Sequence, residues 1–399
     1  MSDTITAPDI IQKRFSTNQT LEGLYLDIPG RVFVALNNGT NGTDVTIESN
    51  SQDLLDLILP SVSTKTFGSS SNHSYLNLTH TLPNTTTGGS FLVRVALSYP
   101  VAYISTQAQT VVNKGALVND AQSNVTLNAY NAGSLLYSDD SALTFYKLNL
   151  DSSDAAAVQV IAPSLEVAYK LDLSAKDASN VTLAADVAVV STLKTSAEDA
   201  GAVYFQANNH VEVGKLFADA EDAGVINIYP KGSSNSSKVE VEDLGVVNIG
   251  SIISQDTVVK ATDAGVATVQ TTGSLSATTA DDSIVYYFNS TPAELPTTHR
   301  PSKHKFRRNN PNVVNSTENT YSAFTVLPTP PKQPVAIKFL PHNAESYWTS
   351  GWTSMSALPS PTSTSSVGFV GILGLLAAMV FAVAYVMKRS TRVRYQRIQ

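Results

Sequence analysis

The acidic residues are the ones whose spacing could carry chemistry. Asp139, Asp154, Asp177, Asp199, Asp222, Asp243, Asp263 and Asp281 recur at intervals of roughly 15 to 23 residues, and two of them open the pairs Asp139-Asp140 and Asp281-Asp282. Carboxylates held in a row can do two things. Two at a defined separation hydrolyse glycosidic bonds, and a cluster of their oxygens binds calcium. Glycoside hydrolysis also needs groups that hold the sugar, and nothing basic or aromatic recurs beside these aspartates. The calcium-binding nonapeptide has a far shorter period. Each Asp instead has a small residue two positions on, Gly201, Gly224, Gly245 and Gly265 in four cases, which is the make-up of a tight corner. The six histidines, His73, His80, His210, His299, His304 and His342, are dispersed, and cysteine is absent. Disulfides, thiolate nucleophiles and cysteine-based zinc sites are therefore excluded. No residue is assigned to catalysis, a cofactor or a metal, and the chain is expected not to be an enzyme; a polysaccharide-acting β-helix is the alternative.

The elements that position these corners follow from the same register. Four and six residues after each Asp stand Leu143 and Phe145, Val158 and Val160, Val181 and Leu183, Val203 and Phe205, Ile226 and Ile228, Val247 and Ile249, Ala267 and Val269, Val285 and Tyr287. The residue between is often polar, as in Thr144, Gln159, Thr182, Asn227, Asn248 and Thr268, the period of a strand with one face buried. A coil of this kind cannot bury its hydrophobic row alone but can against the coils above and below it. The expectation is an all-β, right-handed parallel β-helix-like solenoid, rising about 4.8 Å per coil; an antiparallel sandwich is the alternative. Residues 1–20 read as a disordered start and 21–138 as a β-rich part of the head. Residues 139–291 read as the repeat coils. Gln52 to Leu59 is the one stretch with a helical turn in it.

On these residues the chain resembles the putative auto-transporter adhesin head GIN domain family. The resemblance lies in LYLDIPGRVFV at 24–34, FLVRVALSYPVAYIS at 91–105, the glycine-punctuated coils, and DSIVYYF at 282–288, covering roughly residues 20–291. It implies a right-handed parallel β-helix-like fold and a surface or adhesive role.

Residues 292–366 lose periodicity and become rich in Pro, Ser and Thr, which predicts an extended stalk. A basic cluster within it ends at Arg307 and Arg308, a candidate processing site whose cleavage would shed the head. Residues 367–387 run without a charge for the length a membrane-spanning helix needs, and the basic tail 388–399 places the C-terminus in the cytoplasm. Gly374, Ala378 and Ala382 form a smooth helix face for close packing. Tyr395 and Ile398 match a tyrosine-based sorting signal, so a clathrin adaptor is a candidate partner beside the lipid bilayer and surface glycans or proteins. With a net charge of -7 and its basic residues in linker and tail, nucleic acid is not an expected partner.

The first twenty residues lack the basic and apolar regions of a secretory signal. Two topologies follow: a head outside or in the endomembrane lumen, or a tail-anchored cytosolic scaffold. Acceptor sequons for N-glycans at Asn18, Asn38, Asn41, Asn72, Asn77, Asn84, Asn124, Asn180, Asn235, Asn289 and Asn315, all ahead of the apolar segment, favour the first. The expected activity is non-enzymatic adhesion or recognition at the cell surface or in the lumen.

Overall fold

A computed structural model describes residues 10–37, 42–67, 71–289, 291–295, 311–340 and 352–354. Among the described residues the regular structure is β except for the helix Gln52–Leu57, where Ser51 accepts from the Leu54 N–H as N-cap.

One coil shows how the rest are built. Ala202–Ala220 is a long strand paired in parallel with Asn180–Ala197 on one side and Val225–Val241 on the other. The ladder shifts between Ala185 and Val187 and omits Ser191 and Gly214. Each full coil therefore bends twice and has three straight runs, here residues 202–207, 210–213 and 215–220, which stack into a first, second and third face. Inward side chains such as Val181, Leu183, Leu193, Val203, Phe205 and Leu216 are buried in one continuous core. Burying a side chain of this size stabilises by about 1.5–3 kcal/mol, so the stacked coils supply the cohesion that disulfides do not.

The aspartates sit at the corners, as their spacing implies. Asp154, Asp177, Asp199, Asp222, Asp243, Asp263 and Asp281 all have positive φ, between 49° and 58°. Three residues span each corner bond, for example Gly201 N–H to Glu198 O at 2.8 Å and Gly224 N–H to Glu221 O at 2.8 Å. Asp tolerates this left-handed backbone better than most residues. Asp139 is an exception to the row: the corner of its coil is at Asn131 (φ 51°) and Ala132 (φ 59°), and Asp139 lies buried after the strand Ser134–Ser138. Counting from Asn131 places Leu135 and Tyr137 in the inward pair.

The N-terminal end is closed by antiparallel strands. Thr43–Ser49 lies between Ile11–Thr17 and Thr87–Leu97, and Ile58–Phe67 pairs with Ser71–His80. Such a cap keeps a solenoid's open edge from pairing with other chains.

Part of the segment whose composition reads as a stalk does not extend away. Val313–Ser316 pairs in parallel with Ile284–Phe288 on the last coil, and Val335–Phe339 pairs antiparallel with Thr87–Phe91 in the N-terminal cap. Between these points residues 317–334 run back along the first face. From Asn319, bonded to Ser251, to Pro331, bonded to Arg31, the chain crosses seven inter-strand steps. At about 4.8 Å a step this is about 34 Å, and twelve residues in polyproline conformation reach about 37 Å. Leu327-Pro328-Thr329-Pro330-Pro331 suits that conformation and brings few N–H groups needing a partner. We call residues 311–340 the strap.

Among the described residues no helix is long and apolar enough to cross a membrane; residues 367–387 lie outside them.

Candidate surface site on the third face

A strand with one buried face alternates buried and exposed side chains, and the third face does so. The first face does not: Gln159, Thr182, Asn227, Asn248 and Thr268, the polar residues between the inward pairs, are buried as well, because the strap lies over them. The Gln159 amide donates to Leu327 O at 3.1 Å and accepts from Leu327 N–H at 2.8 Å. Asn227 Oδ1 accepts from Asn248 Nδ2 at 3.0 Å and from Ser322 N–H at 2.9 Å. Tyr229 OH accepts from Phe324 N–H at 3.0 Å while its ring stacks on Tyr321, centroids 4.6 Å apart. A long face that a ligand could use is thus occupied by the chain itself.

Among the described residues, none covers the second bend and third face in this way. Tyr146 and Tyr169 lie one coil apart at the bend, both about half exposed, with rings 5.2 Å apart and 12° from parallel. The ladder bulges there, between Phe145 and Lys147 and between Val167 and Lys170, which turns both rings out of the strand alternation. Beside them the outward rows of the third face read Thr126, Asn149, Asp172, Lys194, Phe217, Lys238 and Asn128, Asp151, Ser174, Ser196, Asp219, Glu240 in successive coils. Lys170 pairs with Asp172 at 2.6 Å and Lys238 with Glu240 at 3.1 Å. Lys194, Phe217, Lys238, Asp219 and Glu240 border a hollow of about 170 Å³.

Asp151 and Asp219 in this ladder resist ionisation. Desolvation, then repulsion from Asp172, pushes Asp151 above the usual range. Desolvation followed by Glu240 and Glu242 does the same to Asp219. At the corners Asp177 and Asp222 are raised by desolvation and by neighbouring corner carboxylates, Asp199 in both cases. Asp139 behaves oppositely: burial pushes it up, but hydrogen bonds from Ser141 and Tyr137, with Lys114 nearby, hold it below the ordinary value. Its pair-mate Asp140 is exposed and bonded to Lys114. Asp139 and Asp140 thus sit in unlike settings, one buried and one exposed, and no cluster able to hold a metal occurs among the described residues.

The sequon asparagines fall in different settings. Asn18, Asn84, Asn124, Asn180, Asn235, Asn289 and Asn315 are exposed. Asn77 is half-buried and donates to Ser63 Oγ at 2.8 Å. Asn38, Asn41 and the side chain of Asn72 lie outside what is described, as do Arg307, Arg308, Gly374, Ala378, Ala382, Tyr395 and Ile398. Tyr146 and Tyr169 went unmarked by the Asp register, although their separation equals that of Asp154 and Asp177.

No family model matches the chain, and no curated protein matches it. Among solved structures it is similar to a putative adhesin from Parabacteroides distasonis, at 13% identity over 72% of this chain and 94% of that one, with a TM-score of 0.34. A putative adhesin from Parabacteroides merdae gives 12% identity, 72% and 92% coverage and a TM-score of 0.33. A putative lipid binding protein from Parabacteroides distasonis gives 9%, 72%, 93% and 0.29.

Proposed function

We propose that the chain is a membrane-tethered recognition protein whose solenoid head binds a glycan along the second bend and third face. The observation that carries this reading is the exposed Tyr146-Tyr169 stack beside a ladder of amide, hydroxyl and charged groups that no described residue covers. Two stacked rings left in water offer an apolar platform with a polar handle on each. A sugar's C–H face can lie on the rings while its hydroxyls bond to Asn149, Asp172 and their neighbours. A face repeating at about 4.8 Å suits a ligand that itself repeats. In the same proposal residues 367–387 cross the bilayer with Gly374, Ala378 and Ala382 on a packing face. The tail presents Tyr395 and Ile398 to a cytoplasmic adaptor, and the exposed sequons carry glycans.

Binding to an immobilised glycan array tests the head. The intact protein should bind a defined subset, and Tyr146→Ala with Tyr169→Ala should lower affinity at least tenfold without changing the circular dichroism. Equal binding by the double variant removes the site. The tether is tested by alkaline extraction of membranes from expressing cells, where recovery of the full chain in the supernatant would contradict it.

A further inference from the structure

The strap has the contacts of a docked ligand rather than of a linker. Its bonds are spread over the whole first face: Asn319 Nδ2 to Ser251 Oγ at 2.8 Å, Ser322 N–H to Asn227, Phe324 N–H to Tyr229, Leu327 to both ends of the Gln159 amide, and Arg31 to Pro331 O at 2.6 Å. Both ends are strands, one added in parallel to the last coil and one antiparallel to the cap. Ile337 and Phe339 are buried in the main core. Phe33, Leu92 and Val111 form a separate buried cluster on the outer side of the first face, with the Lys332 ammonium 5.8 Å from the centroid of the Phe33 ring.

The solenoid is shaped to receive it. A Cβ at Gly250 would lie 2.6 Å from Asn319 Oδ1, so only a residue without a side chain leaves room for the strap there. Main-chain bonds along a sheet edge with side chains in fitted positions are how extended peptides bind in trans, and a proline-rich segment loses little freedom on docking.

We infer that the first face and the Thr87–Leu97 edge form a peptide-binding groove whose ligand is residues 311–340, held strongly enough that the head stays attached without a continuous chain between residues 295 and 311. A cut between those residues then makes a two-chain protein, not a shed head. On this inference, cleavage at the candidate site Arg307 and Arg308 leaves the head attached.

The test is a specific protease site inserted after Ser302 in the full chain, purified in detergent. After complete cutting, the two fragments should run separately on a denaturing gel yet elute together, at the uncut volume, in native gel filtration at micromolar concentration. Fragments that separate on the native column overturn the inference. In the cut protein, Gln159→Ala with Tyr229→Ala should raise the dissociation of the halves at least tenfold. Hydrogen exchange on the uncut natural chain gives a readout independent of the insertion: the Ser322, Phe324 and Leu327 amides should be protected at least 100-fold over a free peptide of the same sequence. Exchange at the free-peptide rate would equally overturn the inference.

Discussion

Exchanging the two small residues of a single corner should move stability in opposite directions. At the corner 198–201, a Cβ on Gly201 would lie 2.3 Å from Ala175 O and 2.6 Å from Ala175 C. An ordinary carbon-to-oxygen contact is about 3.3 Å or more, so the backbone must retreat by about 1 Å. That carbonyl also accepts from Glu198 N–H at 3.0 Å, and the retreat weakens this bond between coils. Overpacking costs about 1–3 kcal/mol and the bond about 0.5–1.5 kcal/mol, offset by about 0.5–1 kcal/mol from the stiffer unfolded chain, so Gly201→Ala should destabilise by about 1–3 kcal/mol. Ala200, one position earlier, has φ +67°, which costs a residue with a Cβ about 1–2 kcal/mol. Glycine relieves that but gains freedom when unfolded, about 0.5–1 kcal/mol, so Ala200→Gly should stabilise by about 0.5 kcal/mol. Urea unfolding followed by circular dichroism measures both. Gly201→Ala within 0.5 kcal/mol of the natural protein, or Ala200→Gly markedly less stable, would refute the corner geometry.

Stability should depend on pH through the carboxyl ladder. Asp151, Asp177, Asp219, Glu221 and Asp222 are all raised, first by desolvation and then by neighbouring carboxylates. The folded state therefore holds protons that the unfolded state has released above its ordinary range near pH 4, and stability is lost as pH rises through the raised values. Asp139 and Asp256 are lowered and act the other way, losing stability only in more acidic solution. The melting temperature should rise as pH falls from 8 to about 5 and drop below about 4; a higher value at pH 8 than at pH 5 would contradict this. Gln159→Ala leaves the Leu327 N–H and C=O without their partner and should cost about 1–3 kcal/mol, with faster hydrogen exchange concentrated in residues 319–334. A variant with unchanged exchange there would show that the glutamine does not hold the strap.

The corners and the inward rows were legible because each is a local, periodic demand. An Asp at positive φ and two hydrophobes four and six residues later, large in every coil but that of Ala267, recur whatever lies outside the coil. The phase of the first coil was not legible, because Asn131 does the work of the corner while Asp139, kept ionised by Tyr137, Ser141 and Lys114, imitates one. The strap was invisible for a different reason. Pro-rich chain that docks by single bonds to side chains has the composition of a linker, and its partners, Gln159 and Asn227, look like the solvent side of a strand. Only the burial of both strand faces shows that something lies over them. The Tyr146-Tyr169 pair carried a sequence signal, the coil period itself, but it belongs to a bulge outside the Asp register.

The strap's return to the N-terminal cap can be trapped directly, since the natural chain has no cysteine. Lys338 is opposite Gly88 in the antiparallel ladder, where partner Cα atoms lie about 4.5–5.5 Å apart, inside the disulfide range of about 4.4–6.8 Å. A Cβ at Gly88 would meet Ile337 O at 3.4 Å, an ordinary contact. Gly88→Cys with Lys338→Cys, oxidised under native conditions, should give a faster-migrating closed loop on a non-reducing gel, with no free thiol remaining. A chain that keeps both thiols free, while Lys194→Cys with Phe217→Cys in adjacent coils closes readily, would contradict the account.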